Sequence, residues 1–332
     1  MSYKLRFWVE HWSPERIVQE AFDLISKYKP GLNIAIFPET LNDENVSALA
    51  CLRESGVEIA FWILLKPDDG YFPNERNMSV FCSHAKEIVS KAVEAGVTPD
   101  YVAVDLEMPA DQIFGLFNAS PVGKLKGVVR LLRENIDPIR FVSARENLSE
   151  FVGWVRSRGI KTIAAILPWV ALELEGQGNL IQNFMETPVG GINWDVISPM
   201  WYSSMFEGST KGIISQQVAN RMAFESSLGL RFRYGDKAGI SVGVTGTGIL
   251  GTEKTFESVG ELVESIGAAL AAGIRDISVY NLEGVVTRDD PEIWMSEIIA
   301  AKPRVPKKNR LLSQSLSALR IFYLAFSRLI RA

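Results

Sequence analysis

The chain has 332 residues, 47% of them hydrophobic and 22% charged, with a net charge of −4. That balance is ordinary for a soluble globular protein large enough to bury a sizeable core, and it argues against a nucleic-acid partner. Its two cysteines, Cys51 and Cys82, exclude a disulfide framework and form no CxxC pair, so they read as buried thiols.

The N-terminus, Met1 to Phe7, passes almost directly into an apolar run. It lacks the basic start, apolar stretch and small-residue cleavage site of a secretory signal. No apolar run reaches the roughly 20 residues of a membrane span. The expectation from the sequence as written is a cytoplasmic protein.

Short apolar runs then alternate with amphipathic stretches along the chain. The predicted strands are 5–9, 32–37, 57–65, 101–106, 161–170, 194–202, 239–245 and 276–281. Most are near-continuous Val, Ile, Phe and Ala, as parallel strands covered on both faces require. Helices are predicted over 14–28, 44–55, 83–95, 148–158, 213–227 and 255–272, and the long connection between strands four and five is expected to hold two or three helices in all. Ser13-Pro14 reads as an N-cap followed by a first-turn proline, while Gly56, Gly96 and Gly273 end helices before the next strand. Eight β-then-α units predict an α/β fold, a (β/α)8 TIM barrel over residues 1–301. An open nucleotide-binding sheet would carry a Gly-rich turn after its first strand, where this chain has Glu10-His11-Trp12.

Residues 302–332 stand apart as a basic tail. They hold eight Lys and Arg and no acidic residue, with Leu312, Leu316, Leu319, Tyr323, Phe326 and Ile330 at helical spacing. An added C-terminal amphipathic helix follows. Three roles stay open for it: docking on the barrel, lying on an anionic membrane surface, or binding a partner.

Function in this fold gathers at the C-terminal ends of the strands. There the sequence places Glu10, Glu39, Asp105, Glu107, Trp169, Trp201, Tyr202, Tyr280, Asn281 and Glu283. Carboxylates beside large aromatics suit carbohydrate chemistry, because glycosidic cleavage uses paired carboxyl groups and Trp and Tyr faces stack on sugar rings. Asp105 and Glu107, two apart on a strand, point to one face. Their repulsion should keep a proton on one of them, as a general acid requires. Glu10, Glu39, Trp169, Trp201, Tyr280, Asn281 and Glu283 are the substrate-contact candidates. Two histidines, His11 and His84, are too few for a His-rich zinc site, and no cofactor motif is present.

Asp100-Tyr-Val-Ala-Val-Asp105-Leu-Glu107 resembles the DxxDxDxE strand-four motif of family 18 glycoside hydrolases, the chitinase-like TIM barrels, and Met200-Trp201-Tyr202 resembles that family's Met-x-Tyr element. The resemblance implies that Glu107 is the general acid. It implies further that Asp105 orients a substrate acetamido group acting as nucleophile, and that Tyr202 contacts the same group. The chain departs from the pattern in three places. Ala103 holds the position of the middle Asp, Ser203 follows Tyr202 where Asp or Asn is usual, and Tyr280 lies about where a strand-eight Trp is expected.

Three functions follow as expectations. The first is a glycosidase acting on an oligosaccharide or sugar conjugate. The second is a non-catalytic carbohydrate-binding barrel, favoured by Ala103. The third is a Mg²⁺-dependent lyase or isomerase built on Glu10, Glu39 and Asp105.

Overall fold

The computed structural model describes residues 3–109, 112, 127, 130, 131, 134–174, 178–248, 251 and 253–308. Its eight parallel strands close into a barrel in sequence order: β1 (Lys4–Val9), β2 (Gly31–Ile36), β3 (Ile59–Ile63), β4 (Tyr101–Leu106), β5 (Lys161–Ile166), β6 (Val196–Trp201), β7 (Gly239–Gly243) and β8 (Asp276–Tyr280). Strand β1 pairs with both β2 and β8, which completes the ring. The chain is a TIM barrel. The first half of the connection between strands four and five, where further helices were expected, lies mostly outside the described residues, and the tail from residue 309 on lies wholly outside them.

Each strand divides its side chains between two cores by simple alternation. On β4, Val102, Val104 and Leu106 pack outward under the helices, whereas Tyr101 and Ala103 pack inside the barrel. The interior is filled by a few large groups among small ones. Trp8 and Trp62 meet edge-to-face at 5.0 Å, and Ala35, Ala60, Ala103 and Ala165 make room for them. The indole of Trp8 donates to Ser241 Oγ at 3.0 Å, so its polar atom is satisfied in the core. Lower in the barrel, Arg6 is fully buried, pairs with Asp276 at 3.1 Å and stacks over Tyr101.

Helix α1 (Pro14–Tyr28) shows how local sequence sets the outer layer. Ser13 caps it through Arg16 N, Pro14 opens it, and Ile17, Ala21, Leu24 and Ile25 form its buried stripe. The helices α2 (Asp43–Glu54), α3 (Met78–Glu94) and α4 (Pro138–Arg156) follow. Then come α5 (Pro168–Leu174), α6 (Leu180–Phe184), α7 (Ser203–Ser209), α8 (Gln216–Tyr234), α9 (Val259–Ala271), α10 (Leu282–Val286) and α11 (Pro291–Ala300). Gly56, Gly96 and Gly273 follow α2, α3 and α9 at positive φ, where they were expected to end helices.

Among the boundaries that differ from expectation, two have a clear local cause. Strand five stops at Ile166 because Pro168 cannot donate to the sheet and instead opens α5. Helix α4 begins ten residues earlier than predicted, capped by Asp137. Ile139 there is 84% exposed, which blurred the amphipathic pattern.

After α11 the chain crosses α9. Arg304 N donates to Gly267 O at 2.9 Å, Arg304 pairs with Glu264 at 2.7 Å, and Arg221 donates to Pro306 O at 3.1 Å. A side chain at Gly267 would meet Lys302 O at 3.0 Å, so the crossing depends on that glycine. Among the described residues no helix is long and apolar enough to cross a membrane.

Candidate functional site

The alternation on β4 carries Asp105, its last inward residue, to the top of the barrel, and Glu107 follows one pleat further on. Asp105 is buried, and its Oδ1 has no hydrogen-bond partner among the described residues. Glu107 is half-buried. Burial, the charge of Glu107 and then that of Glu10 push the Asp105 carboxyl well above the usual carboxylate range. Burial, followed by the charge of Glu10, raises Glu107 to about 7. The two carboxyls are tightly coupled, so they share protons as a pair.

Glu10, just past β1, is the third member. Tyr71 Oη donates to its Oε1 at 2.9 Å, and Tyr280 Oη donates to its Oε2. Its side chain is 4% exposed, with His11 Nε2 at 3.9 Å. Tyr202 lies against this acidic group. Burial and the charges of Asp105, Glu107 and Glu10 all raise its phenol, and its ring meets that of Tyr280 at 5.5 Å. Phe37, Tyr71, Leu167, Tyr202 and Met205 line the partly open upper end of the inner core. The mouth is therefore acidic at its floor and aromatic on its walls.

Strand β7 brings no carboxylate here because there is no room for a side chain. A Cβ on Gly243 would meet Tyr280 O at 2.8 Å and Tyr202 Cδ1 at 3.2 Å. The loop beyond it also leans in: a Cβ on Gly248 would clash with Tyr280 Oη and lie 3.4 Å from Glu10 Oε2.

Glu107, Asp105, Tyr202, Glu10 and Tyr280 thus come together as the sequence suggested. The other candidates do different work. Glu39 stands on the rim, with its side chain 63% exposed, and pairs with Lys66 at 2.6 Å. That lysine holds its carboxyl below the usual range. Glu39 is therefore engaged by Lys66 on the rim rather than joined to Glu10 and Asp105, the other two members of the Mg²⁺ reading. Among the described residues no group of three or more His, Cys, Asp and Glu is arranged to hold a metal ion.

Glu283 lies in α10 and secures the first loop. Its Oε1 accepts from Glu10 N at 2.9 Å and His11 N at 2.8 Å. Asn281 caps α10 through Gly284 N and joins β7 to β8 through Thr245. It is 1% exposed, which corrects the expectation that it meets substrate. Trp201 is likewise corrected. It is 2% exposed and faces the outer core, stacked on Phe206 at 5.5 Å. Trp169, in α5, packs edge-on against both of them. The aromatic walls come instead from Phe37 and Tyr71. Tyr71 was missed because it sits in a turn after β3, at φ 59° behind Gly70. The adjacent Tyr71-Phe72 pair in that turn was its only sequence signal.

The departures from the chitinase-like pattern have local causes. Ala103 is the register partner of Trp62 on β3 and Ile163 on β5, so the small side chain sits beside the indole that fills the barrel. Ser203 points into the helix layer, bonded to Ser265 Oγ at 3.0 Å, and Ser265 in turn donates to Asn220.

No protein-family model matches the chain, and no curated protein matches it. Solved structures do. The glycoside hydrolase domain of PgaB (BpsB) from Bordetella bronchiseptica is 10% identical over 90% of this chain and 99% of that one, with a TM-score of 0.53. The chitinase ChiW from Paenibacillus sp. str. FPU-7, a multi-modular enzyme, is 12% identical over 90% of this chain and 33% of that one, at 0.52. A D-tagatose 3-epimerase-like protein is 15% identical over 90% and 98%, at 0.47. At these identities the likeness establishes the barrel fold alone.

Proposed function

We propose that this barrel is a glycoside hydrolase acting on an oligosaccharide or sugar conjugate, with Glu107 as general acid. The observation that carries the reading is the Asp105–Glu107 pair. Two carboxyls on one strand end share a mouth with Glu10, and Glu107 keeps its proton to about pH 7. A protonated Glu107 can donate to the leaving-group oxygen of a glycosidic bond as positive charge develops at the anomeric carbon. Asp105 then supplies the second group. Its Oδ1, unpartnered among the described residues, can accept from a substrate N–H or O–H, which supports the acetamido-orienting role implied by the resemblance. Tyr202, beside both carboxyls, contacts the same part of the sugar, and Phe37 and Tyr71 offer aromatic faces for stacking.

The test is hydrolysis of N-acetylated and unmodified oligosaccharides with poor leaving groups, comparing the wild type with Glu107→Gln. Removing the acid while keeping its shape should cost roughly 10²–10⁴-fold in kcat. Equal rates would refute the assignment.

One observation favours a second reading, a carbohydrate-binding barrel without turnover. Ala103, enclosed beside Trp62, denies the strand-four motif its middle carboxylate. Saturable binding of oligosaccharide with no product on the same panel would select it.

A further inference from the structure

Helix α8 buries one face against α9, where Phe224 packs with Ala268 and Ala272. A second stripe on α8 follows the i, i+4, i+7, i+11 positions of a single helix face, through Arg221, Glu225, Leu228 and Phe232. Its N-terminal half is engaged. Arg221 pairs with Glu225 and donates to Pro306 O at 3.1 Å, so the segment from Lys302 to Lys308 reaches the stripe there after crossing α9. The C-terminal half is bare. Phe232 is 94% exposed, and Leu228 one turn before it is 41% exposed. The crossing segment adds Val305, which is 63% exposed. Arg221 and Phe232 are separated by about 16 Å along the helix axis, so the three apolar side chains belong to one outer face of the barrel.

The charge of this face is opposite to that of the chain as a whole. From Gln216 to Lys237 and from Lys302 to Lys308 there are eight Lys and Arg and two acids, Glu225 and Asp236, whereas the chain overall holds more acidic than basic residues. Arg231 pairs with Asp236 at 2.6 Å, and Arg304 pairs with Glu264 at 2.7 Å. Once these pairs and Arg221–Glu225 are set aside, Arg233, Lys237, Lys302, Lys307 and Lys308 keep the face positive. Cations alone would suit any polyanion. Leu228, Phe232 and Val305 offer nothing to a phosphate backbone, however, and they cost free energy where they stand in water. An anionic lipid surface uses both kinds of group: its headgroups attract Lys and Arg, and its interface takes up aromatic and aliphatic side chains.

We propose that the outer face formed by α8 and the Lys302–Lys308 crossing is a membrane-docking surface, on which Phe232, Leu228 and Val305 enter the interface of an anionic bilayer and the surrounding lysines and arginines meet its headgroups. A few such groups give marginal, reversible binding by themselves. The sequence beyond Lys308 adds Arg310, Leu312, Leu316, Leu319 and Arg320, which are of the same composition, so the full chain is the binding species. The inference is independent of the chemistry in the barrel mouth, and either can fail without the other.

The experiment is co-sedimentation of the full chain with phosphatidylcholine vesicles, with and without phosphatidylglycerol. The wild type should pellet with the anionic vesicles only and be released as salt rises. Phe232→Ser should weaken that binding roughly 10-fold. Lys307→Gln combined with Lys308→Gln should weaken it by about as much and make the salt dependence shallower. Both variants should melt with the wild type, because the altered side chains are exposed, and Phe232→Trp should keep full binding. Failure of the wild type to bind anionic vesicles overturns the proposal. So does undiminished binding by Phe232→Ser, which would assign the contact to residues beyond Lys308 alone. Tighter binding to duplex DNA than to the vesicles, indifferent to Phe232→Ser, would assign the cations to a polyanion and overturn it as well.

Discussion

A carboxylate carried from water into the barrel mouth loses solvation that a neighbouring carboxylate cannot restore. Asp105 and Glu107 therefore bind protons more tightly in the folded chain than in the unfolded one. The sign of the consequence is fixed by linkage: stability present at low pH is lost as pH rises from the ordinary carboxylate range through about 7. Glu107→Gln removes one of these buried charges. Above about pH 8 it should be more stable than the wild type by on the order of 2 kcal/mol, and below about pH 4 the two should agree. Denaturant melts at both pH values check this. A variant that loses activity while gaining alkaline stability would show the trade between function and folding common at active sites. Catalysis should show the matching limb, with kcat falling as pH rises through about 7 because Glu107 must enter the reaction protonated.

At the scale of strands and loops, much of the site was legible because a strand has a strict period of two. The eight apolar runs gave the barrel, and the Asp105-x-Glu107 spacing placed both carboxyls on one face. The same period shows why Trp201 and Tyr202 could not both face the mouth: adjacent strand residues point opposite ways. Tyr202 looks in, and Trp201 joins the outer core. What the sequence hid were long-range contacts. The Tyr71–Glu10–Tyr280 clamp joins three segments, and the Glu283 carboxylate that secures the first loop lies more than 270 residues from it. Gly243 and Gly248 have no side chain because Tyr202, Tyr280 and Glu10 fill their space. Two outcomes follow. Gly248→Ala should push the Tyr280 hydroxyl off Glu10 and lower kcat with little loss of stability, measured by kinetics beside a thermal melt. Ala103→Asp, restoring the motif's middle carboxylate, should instead cost about 3 kcal/mol or more, because the new charge would lie in the apolar interior beside Trp62. Chemical denaturation reads that loss.

For the whole molecule, the barrel and the basic tail can be separated experimentally at Lys308. Residues 302–306 are tied to α8 and α9 by Arg304, Glu264 and Arg221. A chain ending at Ala301 should therefore lose those contacts and be less stable than one ending at Lys308. Two of the three sequence readings of the tail separate in a sedimentation assay read beside a thermal melt. A membrane-surface helix predicts that the full chain, and not the chain ending at Lys308, pellets with vesicles rich in anionic lipid, less so as salt rises. A helix docked on the barrel predicts no vesicle binding and a lower melting temperature after truncation.

The central claim is that Glu107 is the acid of a glycosidase, and a single pH-dependent measurement bears on it most directly. Hydrolysis of the oligosaccharide panel by the wild type and by Glu107→Gln should show an alkaline limb at about 7 in the wild type. The variant should lose roughly 10²–10⁴-fold in kcat. Hydrolysis at the same rate and with the same pH profile in both proteins would contradict the account and move the acid to another residue.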